Sequence, residues 1–175
     1  MKKLFVLSLA GVMFAGAGQA AIMDLYIGAT GGLGGQHYFI KDAGNHNEYA
    51  KSYGAVFGID IPVIRAEIEY NYLKTDVLET NLAMANIMAK IFPMPIITPY
   101  IGAGAGMQFD GRLSDVSLKN ARSTWAAQGL IGASVDIPLA SLSLDAEGRA
   151  VYLPNFAADA QALHYELRAK LRYTF

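Results

Sequence analysis

The stretch HYELRAKLRYTF, residues 164–175, closes the chain with apolar and polar side chains in strict alternation. Successive side chains of a β-strand point to opposite faces, whereas a helix would scatter these charges around its circumference. The apolar face would hold Tyr165, Leu167, Ala169, Leu171, Tyr173 and Phe175, and the polar face His164, Glu166, Arg168, Lys170, Arg172 and Thr174. The stretch therefore predicts a strand that separates two different environments.

The same period of two dominates the chain after residue 20. Each segment that shows it is long enough to cross a bilayer at a tilt, which takes about 9–11 residues. Beyond the N-terminus no run of 18 apolar residues occurs, so a transmembrane helix does not explain a chain that is 53% hydrophobic. The seven further predicted strands are Asp24–Gly32, Tyr53–Ile61, Ile64–Tyr72, Ala83–Ile91, Ile97–Phe109, Trp125–Ile137 and Leu142–Tyr152.

The connections between the predicted strands alternate between two kinds. Three are tight and contain proline, at residues 62–63, 92–95 and 138–141. Four are longer and more polar: Gly35–Lys51, Leu73–Thr80, Asp110–Arg122 and Leu153–Leu163. Short periplasmic turns and longer outer loops are typical of membrane barrels. The sequence therefore predicts an all-β fold, an eight-stranded antiparallel up-and-down transmembrane β-barrel.

The N-terminus has the pattern of a secretory signal peptide. Lys2 and Lys3 precede the apolar segment Leu4–Ala17, and small residues flank Gln19 at a cleavage site after Ala20. We expect residues 1–20 to be removed and residues 21–175 to form the barrel domain; the alternative is a helix retained as an anchor. The chain has no cysteine, which excludes disulfides and thiolate metal sites, and its net charge of −1 offers nucleic acid no basic field.

Aromatic side chains collect at one end of the predicted strands, on the apolar face. Tyr and Trp favour a membrane interface, because the ring lies in the apolar layer while the polar atom reaches water. A soluble sandwich gives no reason to collect them at one rim. We therefore predict an outer-rim aromatic girdle that consists of Tyr53, Tyr72, Phe109, Trp125, Tyr152 and Tyr165.

Acidic and basic residues share the opposite face in near balance. An eight-stranded barrel is about wide enough for its own side chains, so these charges should form ion pairs that fill the lumen. A lining of one sign would instead favour an ion-selective pore, and a narrow or gated channel is the alternative. The predicted lumen network comprises Asp60, Arg65, Glu67, Glu69, Lys90, Asp136, Asp145, Glu147, Arg149, Glu166, Arg168, Lys170 and Arg172, and Asp24 shares their face.

No motif in the sequence predicts a catalytic, cofactor or metal site. His164 and Glu166 share one face and could form a general base pair, but we assign His164 to the inner network. His37 and His46 lie in the first predicted loop without a spacing that specifies a metal. The glycine-rich stretches at residues 28–35 and 102–107 do not fit the G-x-G-x-x-G pattern, and no helix follows either of them.

Three stretches carry a resemblance to a known family: DLYIGATGGLGG at residues 24–35, TPYIGAGAGMQFD at 98–110 and LRAKLRYTF at 167–175. They resemble the small eight-stranded bacterial outer-membrane barrels, namely the OmpA-type transmembrane domain and the opacity-type surface proteins. The resemblance implies the outer membrane of a Gram-negative bacterium, contact with its lipid and lipopolysaccharide, and a monomer. Unlike the full OmpA type, no peptidoglycan-binding domain is expected after the barrel.

The same resemblance implies that the chain end is a C-terminal assembly signal. Its carriers would be Leu171, Tyr173 and Phe175, and its partner the bacterial barrel-assembly machinery. The expected function is structural, adhesive or for surface display, through four long outer loops. A small porin is the alternative. A lipid A-modifying enzyme is a third. The deacylase type needs a His-x-Ser motif that the sequence lacks, whereas the palmitoyltransferase type, with catalytic residues on loops, is harder to exclude; we predict no enzyme. The loop residues freest to meet a partner include Tyr38, Phe39, Asn45, His46, Asn47 and Tyr49.

Overall fold

The computed structural model describes residues 23–40, 46–75, 78–92, 94, 96–113, 124–137, 140–157 and 160–175. The predicted signal peptide lies outside the described residues. Among those described, no helix is long and apolar enough to span a membrane. The strands are β1 (Asp24–Ile40), β2 (His46–Asp60), β3 (Ile64–Thr75), β4 (Leu78–Lys90), β5 (Ile97–Leu113), β6 (Thr124–Ile137), β7 (Leu142–Ala157) and β8 (Ala160–Thr174).

The eight strands form one closed barrel in which every strand pairs antiparallel with its neighbours in sequence. The closing pair joins β1 to β8. The predicted up-and-down barrel is therefore confirmed. We call the end at which β1 leads into β2 the outer end. The opposite end, which holds Asp24 and Phe175, is the inner end.

The register of the barrel fixes how far its strands tilt. Starting at Tyr26 and stepping from each residue to its partner on the next strand, the path returns to β1 at Gln36, ten residues further along. Eight strands with this shear tilt by about 40° from the barrel axis. Such a narrow barrel leaves room inside for little more than its own side chains.

The strands extend further outward than the sequence predicted. β1 reaches Ile40 and β2 begins at His46, so most of the predicted loop Gly35–Lys51 is strand. The predicted loops Leu73–Thr80 and Leu153–Leu163 shrink to two residues between strands, and Asp110–Leu113 belongs to β5. Hydrophobic alternation reports only the part of a strand that has one apolar face. Main-chain pairing continues beyond that part, where apolar and polar side chains no longer alternate regularly.

Burial alternates along each strand, with the charged face inside. In β3 the pattern is strictly alternate over its first eight residues, and it places Arg65, Glu67 and Glu69 in the interior. The outward positions are apolar and uncovered: Ile68 is 62% exposed and Leu167 is 76% exposed. A soluble protein hides its apolar face and wets its polar one, so this arrangement requires an apolar solvent around the barrel.

Candidate functional site

The lumen near the inner end holds a group of charges that we call the inner-end cluster: Asp60, Arg65, Lys90, Asp145 and Arg172. Arg65 lies 3.0 Å from a carboxylate oxygen of Asp60 and 3.2 Å from one of Asp145. Arg172 reaches Asp145 at 2.9 Å, and Lys90 pairs with Asp60. Because β3 and β7 are not neighbours, the pair between Arg65 and Asp145 crosses the lumen.

Two tyrosines pack against the inner-end cluster, and neither was predicted there from the sequence. The guanidinium carbon of Arg65 lies 5.8 Å from the Tyr26 ring centre and 5.2 Å from that of Tyr100. Each ring lies over a glycine of the neighbouring strand, Gly58 or Gly132, where a Cβ would overlap the ring. These two glycines therefore provide the space that the rings occupy. The alternation of side chains along the strand already predicts that Tyr26 faces inward, because its neighbours Leu25 and Ile27 face outward.

Above this cluster lies a second group of charges, the central cluster, whose side chains are completely buried. Arg168 binds Glu69 in a bidentate arrangement with distances of 2.6 and 2.9 Å, and it also pairs with Glu147. Lys170 donates to both carboxylate oxygens of Glu67, at 2.8 and 2.9 Å. The other members are Arg149, which lies 2.5 Å from Glu69 and 2.6 Å from Glu166, and His164, which lies 3.0 Å from Glu166.

Amide and hydroxyl groups occupy the remaining hydrogen-bonding positions of the central carboxylates. Asn86 donates to Glu67 at 3.2 Å and to Glu69 at 3.0 Å. The Tyr26 hydroxyl donates to Glu67 at 2.7 Å, and that of Tyr100 donates to Glu147 at 2.9 Å. A buried ion pair is favourable only when its remaining lone pairs are also satisfied. Each tyrosine thus joins the two clusters, because its hydroxyl binds a central carboxylate while its ring faces Arg65.

The outer part of the lumen has a different character, which was not predicted from the sequence. Several of its inward positions carry aliphatic side chains that pack together, and we call this group the apolar layer. The alternation of side chains indicates that Leu82 and Val151 face inward. Because polar residues surround them in the sequence, the change from a polar to an apolar lining was not evident. The members of the layer are Leu82, Met84, Ala126, Val151, Leu153 and Ala162, all buried in one cluster.

Two predicted inward acids lie at the inner-end mouth rather than in the network. Asp136 is exposed and accepts a hydrogen bond from the Ser143 hydroxyl at 2.7 Å. Asp24 is exposed as well. Both stand at strand ends, where the lumen opens to solvent, so water can hydrate them without a cationic partner. The other predicted lumen residues all take part in ion pairs of the two clusters.

The predicted girdle residues all lie on the outward face, toward the outer end. The rings of Tyr53 and Tyr72 are 5.0 Å apart, and those of Trp125 and Tyr152 are 6.2 Å apart. Phe109 pairs with Tyr70, at 6.0 Å. Tyr165, the remaining predicted member, also faces outward on β8. Side chains of this kind favour the boundary between hydrocarbon and water.

At the inner end, the chain terminus adds an aromatic pair. The Tyr173 and Phe175 rings meet edge to face at 5.4 Å, and Leu171 also faces outward on the same strand. The backbone N–H of Phe175 donates to the carbonyl of Leu25 at 2.9 Å, which extends the contact between the first and last strands. The terminal residue is thus fixed to the barrel although it lies beyond β8.

The charged groups of the lumen bind one another across the barrel. In the described part of the chain, no group of three His, Asp or Glu side chains is arranged to hold a metal ion. His164 and Glu166, the residues that resembled a general base pair, are completely buried, and His164 is the register partner of Val151 in the apolar layer. A general base must come within hydrogen-bonding reach of its substrate. Neither side chain is exposed to solvent, so a substrate outside the barrel does not come within that reach.

Comparisons with known proteins agree with this architecture. The chain matches no protein-family model and no curated protein by sequence. Among solved structures it is similar to the neisserial surface protein A, with a TM-score of 0.68 and 16% identity over 86% of this chain and 97% of that one. It is also similar to the N-terminal β-barrel domain of OprF from Pseudomonas aeruginosa, with a TM-score of 0.56 and 16% identity over 86% and 97% of the two chains.

A third similar structure is that of the outer membrane protein AlkL in lipid bilayers. Its TM-score is 0.54, with 11% identity over 87% of this chain and 90% of that one. All three are outer-membrane or surface barrels, and identities this low establish the fold alone. The chain therefore has the fold of the small eight-stranded outer-membrane β-barrels, and the resemblance seen in the sequence is confirmed at that level.

Proposed function

We propose that this protein is an integral outer-membrane barrel with a closed lumen, which serves a structural or surface-display role. The contact of Arg168 with Glu69 carries the proposal, because the two residues stand on β8 and β3, which are not neighbours in the barrel. Their bidentate ion pair therefore crosses the interior. The apolar layer lies nearer the outer end than this pair and packs across the same lumen.

The uncovered apolar outer face supports location in a membrane. Its aliphatic positions lie between the outward aromatic girdle and the aromatic pair of Tyr173 and Phe175. In lipid every backbone polar group must find a partner within the protein, and a closed barrel meets this requirement. The solved structures with this fold are outer-membrane proteins, and one of them is a surface protein by name.

Planar bilayer recordings of the reconstituted protein test the closed lumen. We expect no steady unitary conductance, because the ion pairs and the apolar layer leave no continuous water path. Steady conductance would overturn the closed lumen and would support a small porin instead. Migration on a gel should change on boiling, as expected of a stable barrel, and unchanged migration would contradict the barrel itself.

Labelling of intact cells tests surface display. The chain has no cysteine, so single-cysteine variants can be labelled at one position only. Tyr49→Cys places a thiol on an exposed position at the outer end, and Val63→Cys places one at the inner end. A membrane-impermeant maleimide should label Tyr49→Cys only. Labelling of Val63→Cys alone would mean that the inner end faces outward.

The chain terminus suggests the barrel-assembly machinery as a partner during biogenesis. Phe175 is 73% exposed on the folded barrel, so its loss removes little packing. Deletion of Phe175 should therefore reduce the amount of protein assembled in cells far more than it reduces the stability of protein refolded in detergent. Equal losses in both measurements would show that Phe175 is only another aromatic residue at the rim.

A further inference from the structure

The connection between β4 and β5, at the inner end of the barrel, is apolar throughout. Residues 91–97 read IFPMPII and include no charged or polar side chain, and we call them the apolar connection. Phe92 is 82% exposed, and Met94 and Ile96 are exposed as well. A contiguous apolar surface of this kind marks a place where a protein contacts a membrane or another protein.

Backbone hydrogen bonds hold the apolar connection against the wall of the barrel. The N–H of Ile91 donates to the carbonyl of Pro99 at 2.8 Å. The carbonyl of Ile96 accepts from the N–H of Asp136, on β6, at 3.2 Å. Because its partners belong to the adjoining strands β5 and β6, the connection continues the sheet and does not cross the mouth of the lumen. Its described side chains therefore form a fixed surface at the edge of the barrel.

The apolar connection begins at the same height as the aromatic pair on the opposite side of the barrel. From Lys90 the register leads over β5, β6 and β7 to Arg168 on β8, which is half of the circuit. The full circuit climbs ten residues toward the outer end, so half of it climbs five. Lys90 thus lies at the height of Tyr173, which is five residues nearer the inner end than Arg168. The connection after Lys90 starts where Phe175 marks the inner edge of the barrel.

The outward apolar surface passes into the apolar connection without a break. Ile87 and Ile91 are exposed at the end of β4, and Ile97 and Ile101 are exposed at the start of β5. Membrane barrels have an apolar band that is flanked by aromatic residues at both interfaces. On β8 that band ends at the aromatic pair, whereas on β4 and β5 it includes the connection. This continuity favours lipid over a protein partner, because nothing polar separates the connection from the lipid-facing surface.

We propose that the apolar connection is a lipid anchor at the inner end, with Phe92 and Met94 inserted into the leaflet on that side. The proposal rests on the membrane location proposed above. Transfer of a phenylalanine side chain from water into an apolar phase is favourable by a factor of about ten or more. Insertion to the boundary between headgroups and acyl chains, about 5–10 Å deep, is enough to bury side chains of this size. The anchor fixes the depth of the barrel on the side of β4 and β5.

The connection between β6 and β7 provides a matched control. Phe92 in the first connection and Ser141 in the second are both non-glycine residues in the left-handed region, each with a φ of 49°. Ser141 is exposed, and so is its neighbour Ala140. The two positions therefore share backbone conformation and exposure, and they differ in the apolar character of the side chains.

The fluorescence of single tryptophans tests the anchor on the mature chain folded into vesicles. The unchanged chain reports from Trp125 at the girdle, because it has no other tryptophan. Phe92→Trp and Ser141→Trp, each combined with Trp125→Phe, report from the two connections. Phosphatidylcholine with brominated acyl chains should quench Trp125 and Phe92→Trp strongly and Ser141→Trp weakly. Iodide on both sides of the membrane should quench Phe92→Trp about tenfold less than Ser141→Trp.

A second pair of substitutions assigns the anchoring to the neighbouring apolar side chains. Met94→Asp, added to Phe92→Trp, should raise quenching by iodide toward the value of Ser141→Trp, because a carboxylate stays in water. Ala140→Asp, added to Ser141→Trp, is the matched change and should alter neither kind of quenching. Protection from iodide that persists with Met94→Asp would contradict the anchor.

Three other results would overturn the proposal. Equal quenching at the two positions would mean that the introduced tryptophan, and not the connection, determines the depth. Protection of Phe92→Trp from iodide without quenching by lipid would mean that a protein, such as a second copy of the chain, covers the connection. If brominated lipid fails to quench even Trp125, the barrel is outside the bilayer, and the proposed membrane function fails together with the anchor.

Discussion

The central cluster and the apolar layer fill the same lumen by different means. The cluster holds ion pairs such as those of Glu69 with Arg168 and Glu67 with Lys170, which join strands on opposite sides of the barrel. The layer holds side chains such as Leu82 and Val151, which pack without specific partners. Both groups are completely or almost completely buried. Two chemically different interiors therefore lie in one barrel, within a few residues of each other along the strands.

The difference shows how stability is distributed in the lumen. In the cluster, a side chain is favourable only while its partner is present, because an unpaired buried charge costs several kcal/mol. In the layer, each side chain contributes in proportion to the area it buries and the space it fills. The cluster should therefore lose most from the removal of one partner. In the layer, a substitution should lower the free energy of unfolding only by what the removed atoms contributed through burial and packing.

The largest expected effect is that of Glu69→Ala. This substitution removes a carboxylate from both Arg168 and Arg149, whose guanidinium groups remain buried. We expect the free energy of unfolding to fall by about 3–5 kcal/mol, as for one partner of a buried pair. Urea titration of the protein folded in vesicles, followed by the fluorescence of Trp125, measures the loss. A loss below about 1 kcal/mol would mean that water already hydrates these arginines.

A double substitution shows whether the unpaired charge causes such losses. Glu67→Gln keeps an oxygen that can accept from the Tyr26 hydroxyl, while Lys170→Met removes the cation that faces it. Each single variant leaves one buried charge without its nearest partner, and the double variant removes both charges of the pair. Lys170 also lies 3.5 Å from Glu147, which keeps Arg168 and the Tyr100 hydroxyl in the double variant. The double variant should therefore be more stable than either single one. Simple addition of the two losses would contradict the ionic account of the cluster.

The next effect in size is that of Leu82→Ala in the apolar layer. Leu82 is completely buried beside Met84 and Val151, so its truncation leaves a cavity. We expect a loss of about 2–4 kcal/mol in the free energy of unfolding, measured by the same titration. Leu82→Met, which conserves volume, should lose less than about 1.5 kcal/mol and is the matched control. Similar losses for both would indicate that shape, rather than burial, determines stability there.

The fold was predictable from the sequence because each strand has two environments. From β3 to β8, alternation identified the segments that lie between the two rims, since lipid and lumen demand opposite side chains. The strand ends were not predictable in the same way. Near Gln36 and Glu48 both faces of the hairpin are polar or small, so the periodic signal disappears although the strands remain paired.

The lumen was predictable in its charges but not in its layers. The alternation of side chains placed Arg168 and Lys170 inside. It does not show at what depth in the lumen an inward residue of one strand lies relative to those of the next strand. Depth depends on the shear of ten residues, which only the pairing of all eight strands reveals. For the same reason, the sequence could not predict that Leu82, Ala126 and Leu153, which belong to separate strands, pack together. The inward direction of Tyr26 and Tyr100 could be predicted, because both follow the alternation of side chains along their strands.

A smaller effect, of opposite sign, is expected at Gln36 in the outer part of the lumen. Its side-chain amide is completely buried, and among the described residues neither its nitrogen nor its oxygen has a hydrogen-bond partner. A buried polar group without a partner costs about 1–3 kcal/mol. Gln36→Leu should therefore stabilise the barrel by about 1 kcal/mol in the urea titration. Destabilisation by Gln36→Leu would show that the amide has a partner such as bound water.

The smallest effect is expected at the ion pair of Lys74 with Glu79. This pair tests whether burial is the reason why the substitutions in the lumen change the stability. The two charged atoms are 2.6 Å apart, as close as those of Arg168 and Glu69, but the Lys74 side chain is 58% exposed. Water solvates both groups in the folded and the unfolded protein, and salt screens their attraction. Lys74→Gln should therefore leave the urea midpoint unchanged, even at low salt. A midpoint shift comparable to that of Glu69→Ala would show that distance, and not burial, sets the strength of ion pairs in this barrel.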